Sequence, residues 1–171
     1  KELDIQLVGG TGKETFNEIS IDSRTLKPNE IFIALKGPSN DGHDYVIEAK
    51  EKGATALVVE KDISIDKPYF LVNDCYKFLD HLAKYQRDIF TGKVIGLTGS
   101  NGKTTTKEII YSLLQKDGCH KTKGNKNNHI GVPLTLSSLS NHYKYAVIEI
   151  GTNSPGEINN LSTKVEPDVA L

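Results

Sequence analysis

Val94-Ile95-Gly96-Leu97-Thr98-Gly99-Ser100-Asn101-Gly102-Lys103-Thr104-Thr105 runs from an apolar stretch, through a glycine-rich turn, into a segment that reads as a helix from Thr104 to Gln115. The spacing predicts a compact strand over Val94 to Thr98 and a tight turn after it. Glycines let consecutive backbone N–H groups point inward at anionic oxygens, and a helix N-terminus adds partial positive charge at the same place. Lys103 is then placed to reach terminal phosphates, and the Thr104 hydroxyl to ligate Mg²⁺. A strict Walker A string needs glycine where Leu97 stands, so the loop is the shorter G-x-x-G-K-T form. The bland alternative is a glycine-rich turn with an exposed lysine. Its place between strand and helix favours phosphate binding by Gly99, Ser100, Asn101, Gly102, Lys103, Thr104 and Thr105.

Downstream, Tyr145-Ala146-Val147-Ile148-Glu149-Ile150-Gly151 is a buried-strand pattern interrupted by a glutamate. An ionised carboxylate in such a strand costs several kcal/mol without a partner. Ligands of open α/β sheets sit at the carboxyl ends of strands, so Glu149 reads as a ligand of Mg²⁺ or of metal-bound water. A structural ion pair with a lysine is the alternative. Gly156 to Leu161 begins a further helix, and Asp168 to Leu171 reads as a last strand. The order of elements implies a parallel sheet with right-handed crossovers.

Upstream, strands are expected at Ile19 to Ile21, Ile31 to Leu35, Ala56 to Val59 and Tyr69 to Val72. Helices are expected from Tyr45 to Lys52, stopping at Gly53, and from Tyr76 to Phe90. The fold class is therefore α/β. A small N-terminal α/β domain over residues 1–90 is followed, after a hinge at Thr91-Gly92, by the start of a phosphate-loop domain over residues 91–171 with a mainly parallel sheet. The chain lacks an initiator methionine and stops inside an apolar strand-like segment, and is read as a fragment.

Composition bounds the partners. The 171 residues are 37% hydrophobic and 25% charged, as in soluble globular proteins. A formal net charge of −1 lacks the basic excess of a nucleic-acid binder. No secretory signal or membrane span is visible. Cys75 and Cys119 form no paired-ligand pattern, so free thiols in a reducing cytoplasm are expected. His81, His120, His129 and His142 show no metal-ligand spacing.

Three separated strings resemble the Mur ligase family. Thr98 to Thr105 is similar to its shortened phosphate loop. Gly124-Asn125-Lys126-Asn127-Asn128-His129-Ile130-Gly131-Val132-Pro133-Leu134-Thr135, and Val147 to Asn153 with Pro155-Gly156-Glu157-Ile158, resemble the branch that joins D-alanyl-D-alanine to UDP-N-acetylmuramoyl-tripeptide. Ile21-Asp22-Ser23-Arg24 and Gly37-Pro38-Ser39-Asn40-Asp41-Gly42-His43 are similar to motifs for the UDP substrate. Ser154 departs from the pattern, since many relatives carry histidine there. The rest of the family's ATPase domain and its C-terminal domain have no counterpart in this sequence.

The resemblance implies an ADP-forming amide ligation through an acyl phosphate, with ATP and Mg²⁺ as cofactors, in cytoplasmic peptidoglycan precursor synthesis by a monomer. It implies catalytic roles for Lys103 and Glu149, and metal ligation by Thr104 and Glu149. Ser23, Arg24, Asp41, Gly42 and His43 are implied around the UDP end, and Asn125 and Asn128 at the sugar or peptide end. From the residues alone, Arg24 pairs equally well with Asp22, His43 reads as a turn residue, and Asn125 to Asn128 as a polar loop. Another Mur-type ligase, such as the third-residue adder or a folylpolyglutamate-synthase-like enzyme, is the alternative activity. A non-catalytic nucleotide-binding module is a further one.

Overall fold

A computed structural model of the chain describes residues 3–13, 15–152 and 154–171. The polypeptide divides into two compact units, Lys1–Leu79 and Asp80–Leu171.

The first unit contains β1 (Ile5–Val8), β2 (Ile19–Ser20), β3 (Ile31–Ile33), α1 (Val46–Glu51), β4 (Ala56–Val59) and β5 (Tyr69–Val72), and α2 (Cys75–Ile89) begins in it. The strand order is β1-β5-β4-β3-β2. β2 to β5 pair in parallel, and β1 joins β5 antiparallel with Ile5 opposite Val72. A 3₁₀ turn over Gly42–Tyr45 leads into α1, so the expected helix from Tyr45 forms one residue later. Phe32, Ala34, Val46, Ala49, Leu57 and Val59 build the core. β1 lies in a half-exposed stretch containing Gln6, which gives no clean alternation and was not expected from the sequence.

The second unit adds β6 (Lys93–Leu97), α3 (Lys103–Leu114), β7 (Cys119–Lys121), α4 (Gly131–Ser137), β8 (Tyr145–Glu149), α5 (Glu157–Val165) and β9 (Val169–Ala170). Its sheet has the order β7-β8-β6-β9, with every pairing parallel. Both faces are covered, as parallel sheets require. Ala146, Ile148 and Ile150 pack with Val132, Leu136, Leu161 and Val165 on one face. Val147 and Leu97 pack with Ile110, Tyr111 and Leu114 on the other. Because side chains alternate along a strand, Glu149 follows Val147 onto the face covered by α3. That parity brings a carboxylate to the helix that starts at the phosphate loop.

The sequence reads as a polar loop at Asn125 to Asn128, with no element over residues 131–137, where α4 forms. Pro133 lies in its first turn, where a missing N–H costs nothing. The helix is buried all round, so it carries no amphipathic signature. Among the described residues, no helix is long and apolar enough to cross a membrane.

Phe32 is the largest fully buried side chain of the first core. Phe32→Ala should lower unfolding stability by about 3–5 kcal/mol, measured as a shift of the urea midpoint at unchanged slope. A loss below about 1 kcal/mol would show that this core is not packed as described.

Candidate functional site

β6 delivers the chain to Gly99-Ser100-Asn101-Gly102, and α3 begins at Lys103. Gly102 is the residue capping α3, at φ +76°, with no side chain to bond the first amides. A Cβ there would meet nothing within 4 Å, so glycine is required by the backbone angle and not by space. The helix therefore opens with N–H groups not taken by a side-chain cap. The Lys103 ammonium folds back over the loop and donates to the Gly99 carbonyl at 2.7 Å. Gly99, Ser100, Asn101, Gly102, Thr104 and Thr105 are exposed.

Glu149 lies against this helix and is 1% exposed. The Thr104 hydroxyl sits 3.2 Å from its Oε2 and 3.4 Å from its Oε1. Asn127 Nδ2 donates to Oε1 at 2.8 Å. The Lys107 ammonium is 3.2 Å from Oε2. Glu149 is thus paired with a lysine, the alternative weighed for it, and also faces the Thr104 hydroxyl. Two hard oxygen donors side by side, beside a loop of open amides, suit Mg²⁺ held together with phosphate oxygens. Thr98, where β6 enters the loop, carries a buried hydroxyl with no hydrogen-bond partner among the described residues. An unmet polar atom of that kind fits a ligand-binding edge.

Lys107 and Asn127 were not singled out by the sequence reading. Lys107 had a signal: it falls on the stripe 107, 110, 111, 114, whose other members pack into the core. Asn127 had none beyond its neighbours. Of the asparagines that were singled out, Asn128 braces the turn leading into α4, its Oδ1 accepting from Ile130 N at 3.1 Å and Gly131 N at 2.8 Å. The Asn125 carbonyl accepts from Asn127 N at 2.8 Å.

In the first unit the expected substrate residues form two hydrogen-bonded groups. The Ser23 hydroxyl is buried and donates to Glu48 Oε2 at 2.9 Å. Lys52 donates to the Ser23 carbonyl at 2.8 Å and pairs with Glu48. The exposed Arg24 guanidinium grips both oxygens of Asp22, at 2.9 and 2.8 Å, and holds that carboxyl below its ordinary range. In the second group, Asp41 caps the 3₁₀ turn by accepting from His43 N at 2.9 Å. His43 Nε2 accepts from Glu60 N at 2.9 Å, so its Nδ1 carries the hydrogen donated to Asp41 at 2.6 Å. Both nitrogens of that buried ring are used internally, and its effect on a ligand would run through Asp41. Gly42 is pressed against Ala34 and Leu35, where a Cβ would meet backbone atoms at 2.7 Å.

Strand, glycine turn and helix N-terminus with lysine, beside a strand ending in a carboxylate, define an α/β unit of the phosphate-loop class. Residues 15–88 match the Mur ligase family catalytic domain, and residues 97–171 the Mur ligase middle domain. The chain belongs to the Mur ligase family. It is 42% identical over 158 residues to the UDP-N-acetylmuramoyl-tripeptide–D-alanyl-D-alanine ligase of Escherichia coli K12, covering 92% of this chain and 35% of that protein. The ligase of the same name from Bacillus subtilis is 42% identical over 160 residues, covering 90% and 34%. Crystal structure II of MurF from Acinetobacter baumannii superposes with a TM-score of 0.81 at 39% identity, covering 91% of this chain and 34% of that one. MurF ligase from Thermotoga maritima in complex with ADP gives 0.73 at 37% identity, covering 89% and 36%. The chain spans about a third of the length of these relatives.

The backbone N–H and ring of His43 hold the Asp41 carboxyl below its ordinary range. A carboxylate with a depressed folded pKa contributes stability above its unfolded value, near 3.9, and loses it as pH falls through the lower folded value. Asp41→Asn should therefore be less stable than the parent at pH 7, with the gap closing below about pH 4. Thermal unfolding of both proteins from pH 7 to pH 3 reads this. A gap that stays constant would show that charge contributes nothing to the contact.

Proposed function

We propose that this chain is the UDP-substrate and ATP-binding part of a ligase that joins D-alanyl-D-alanine to UDP-N-acetylmuramoyl-tripeptide, in the cytoplasmic steps of peptidoglycan precursor synthesis. The observation that carries the reading is the contact of Thr104 with Glu149 at the head of α3, next to the loop over which Lys103 folds, in a chain about 40% identical to ligases of that name. The reaction forms an amide between the tripeptide carboxyl and the dipeptide amine, with ATP converted to ADP and phosphate through an acyl phosphate.

In this reading, the amides from Gly99 to Lys103 orient the nucleotide phosphates. Lys103 releases the Gly99 carbonyl and offsets negative charge on the transferring phosphoryl group. Thr104 and Glu149 would hold Mg²⁺, which would supply further neutralisation of phosphate charge. Residues 1–90 bind the UDP end through the segments of Ser23-Arg24 and Asp41-Gly42-His43, and residues 91–171 bind ATP. Asn125 and Asn128 line the sugar or peptide end, with Asn128 acting through the backbone it braces.

Calorimetry on the chain tests both halves of the reading. UDP-N-acetylmuramoyl-tripeptide should bind more tightly than the dipeptide precursor, and MgADP should bind independently of it. Lys103→Ala should weaken MgADP by roughly 10–100-fold, the worth of one charge-assisted hydrogen bond, and leave the UDP ligand unaffected. Unchanged MgADP affinity in a folded Lys103→Ala variant would remove the assignment of the loop. Preference for the dipeptide precursor would favour the third-residue adder.

A further inference from the structure

Lys107 has no part in the reading above, yet its side chain is 0% exposed on a helix with ample solvent-facing surface. Its ammonium donates to the Gly124 carbonyl at 2.6 Å. It also lies 3.2 Å from Glu149 Oε2 and 3.7 Å from Glu108 Oε1. The ammonium thus hydrogen-bonds the loop after β7 and forms ion pairs with carboxylates at the end of β8 and on α3 itself. The other oxygen of Glu149 accepts from Asn127 Nδ2, and the backbone carbonyl of Asn127 accepts in turn from Gly151 N at 2.7 Å. The Glu149 backbone N–H is fixed as well, donating to the buried Thr122 hydroxyl at 2.9 Å. The carboxylate is held at both oxygens and at its own backbone, with Thr104 beside it.

We propose that Lys107 is a positioning residue of the phosphate site. With Asn127 it fixes the Glu149 carboxylate so that its remaining lone pairs face the Thr104 hydroxyl. It stands one helical turn beyond Thr104, on the same side of α3, so the helix that presents the loop also sets the carboxylate. The proposal rests on the reading of Thr104 and Glu149 as the pair that holds Mg²⁺. Groups that orient a metal ligand without touching the metal commonly govern its affinity, and their loss costs about 10–100-fold.

The test is titration of the whole chain with a fluorescent ADP analogue, in Mg²⁺ and in EDTA, for the parent, K107M and E149Q. Affinity in EDTA reads the loop amides and Lys103, and should be the same in the parent and K107M. The enhancement by Mg²⁺ should fall in K107M by about 10–100-fold, as it does in E149Q. A folded K107M with parental enhancement overturns the proposal, and so does an equal loss in Mg²⁺ and EDTA, which marks a general structural role. Should K107M fail to fold, thermal unfolding of K107M/E149Q decides. Recovery of the fold shows that Lys107 acts on Glu149. A double variant as unstable as K107M assigns Lys107 to packing of the Gly124 loop and overturns the proposal. A parent chain that binds the analogue with no Mg²⁺ enhancement refutes the metal reading of Thr104 and Glu149 instead, and the same stability comparison still decides whether Lys107 acts on Glu149.

Discussion

Glu149 stands at the end of β8 with 1% of its surface exposed, where an ionised carboxylate without partners costs several kcal/mol. The second unit is arranged around meeting that cost. α3 supplies Lys107 and Thr104, the loop after β7 supplies Asn127, and Thr122 takes the backbone N–H. The partners come from two segments, α3 and the loop after β7, so the carboxylate ties the helix and the loop to the strand. Removing one member of a buried pair costs about 3–5 kcal/mol, whereas replacing both by apolar groups is often neutral or stabilising. Stability alone therefore does not account for a charged pair at this place. In the proposed reading, the carboxylate is kept beside the phosphate loop as a ligand of Mg²⁺.

The alternation of strands and helices was legible because each buried strand is a short apolar run bounded by turn residues. Ala56–Val59 and Tyr69–Val72 form over the expected residues. The loop was legible because its left-handed residue, Gly102, is of the type that favours such a turn, and because the Gly-Lys-Thr string stands between an apolar strand and a helix. What was missed lacked periodicity. β7, Cys119-His120-Lys121, is a three-residue strand whose sequence has no β-branched residue. α4 is too short and too evenly buried to show a face. Asn127 differs from Asn125 and Asn128 only in where the backbone aims it, which no reading of residue types can supply.

Motif residues in the first unit carry the same lesson differently. Ser23, Arg24, Asp41 and His43 are each engaged by their own neighbours: Glu48, Asp22, His43 and Glu60. A motif records that a residue type is needed, not which atom it serves. His43 is the clearest case. Its ring links Asp41 to the backbone of Glu60, so it fixes the loop from Gly37 to Asp41 from beneath. Arg24 is the opposite case. With 83% of its side chain exposed, its grip on Asp22 is screened by solvent and is weak, so an anionic ligand can compete for it.

The same contrast, drawn by burial, separates the two lysines of α3. Lys103 and Lys107 are one turn apart on the same side of the helix. Lys103 rests on a single carbonyl at the solvent-facing mouth of the loop. Little is lost when it leaves that contact for a phosphate, because water or the ligand replaces the bond at once. Lys107 is enclosed by Gly124, Glu149 and Glu108, and any movement would strand a charge in the interior. In the proposed reading, one ammonium is free to follow a reacting group while the other holds the frame against which that group is placed. Positioning within fractions of an ångström requires a support that does not move with the ligand, and a buried, fully engaged ammonium is suited to be part of it.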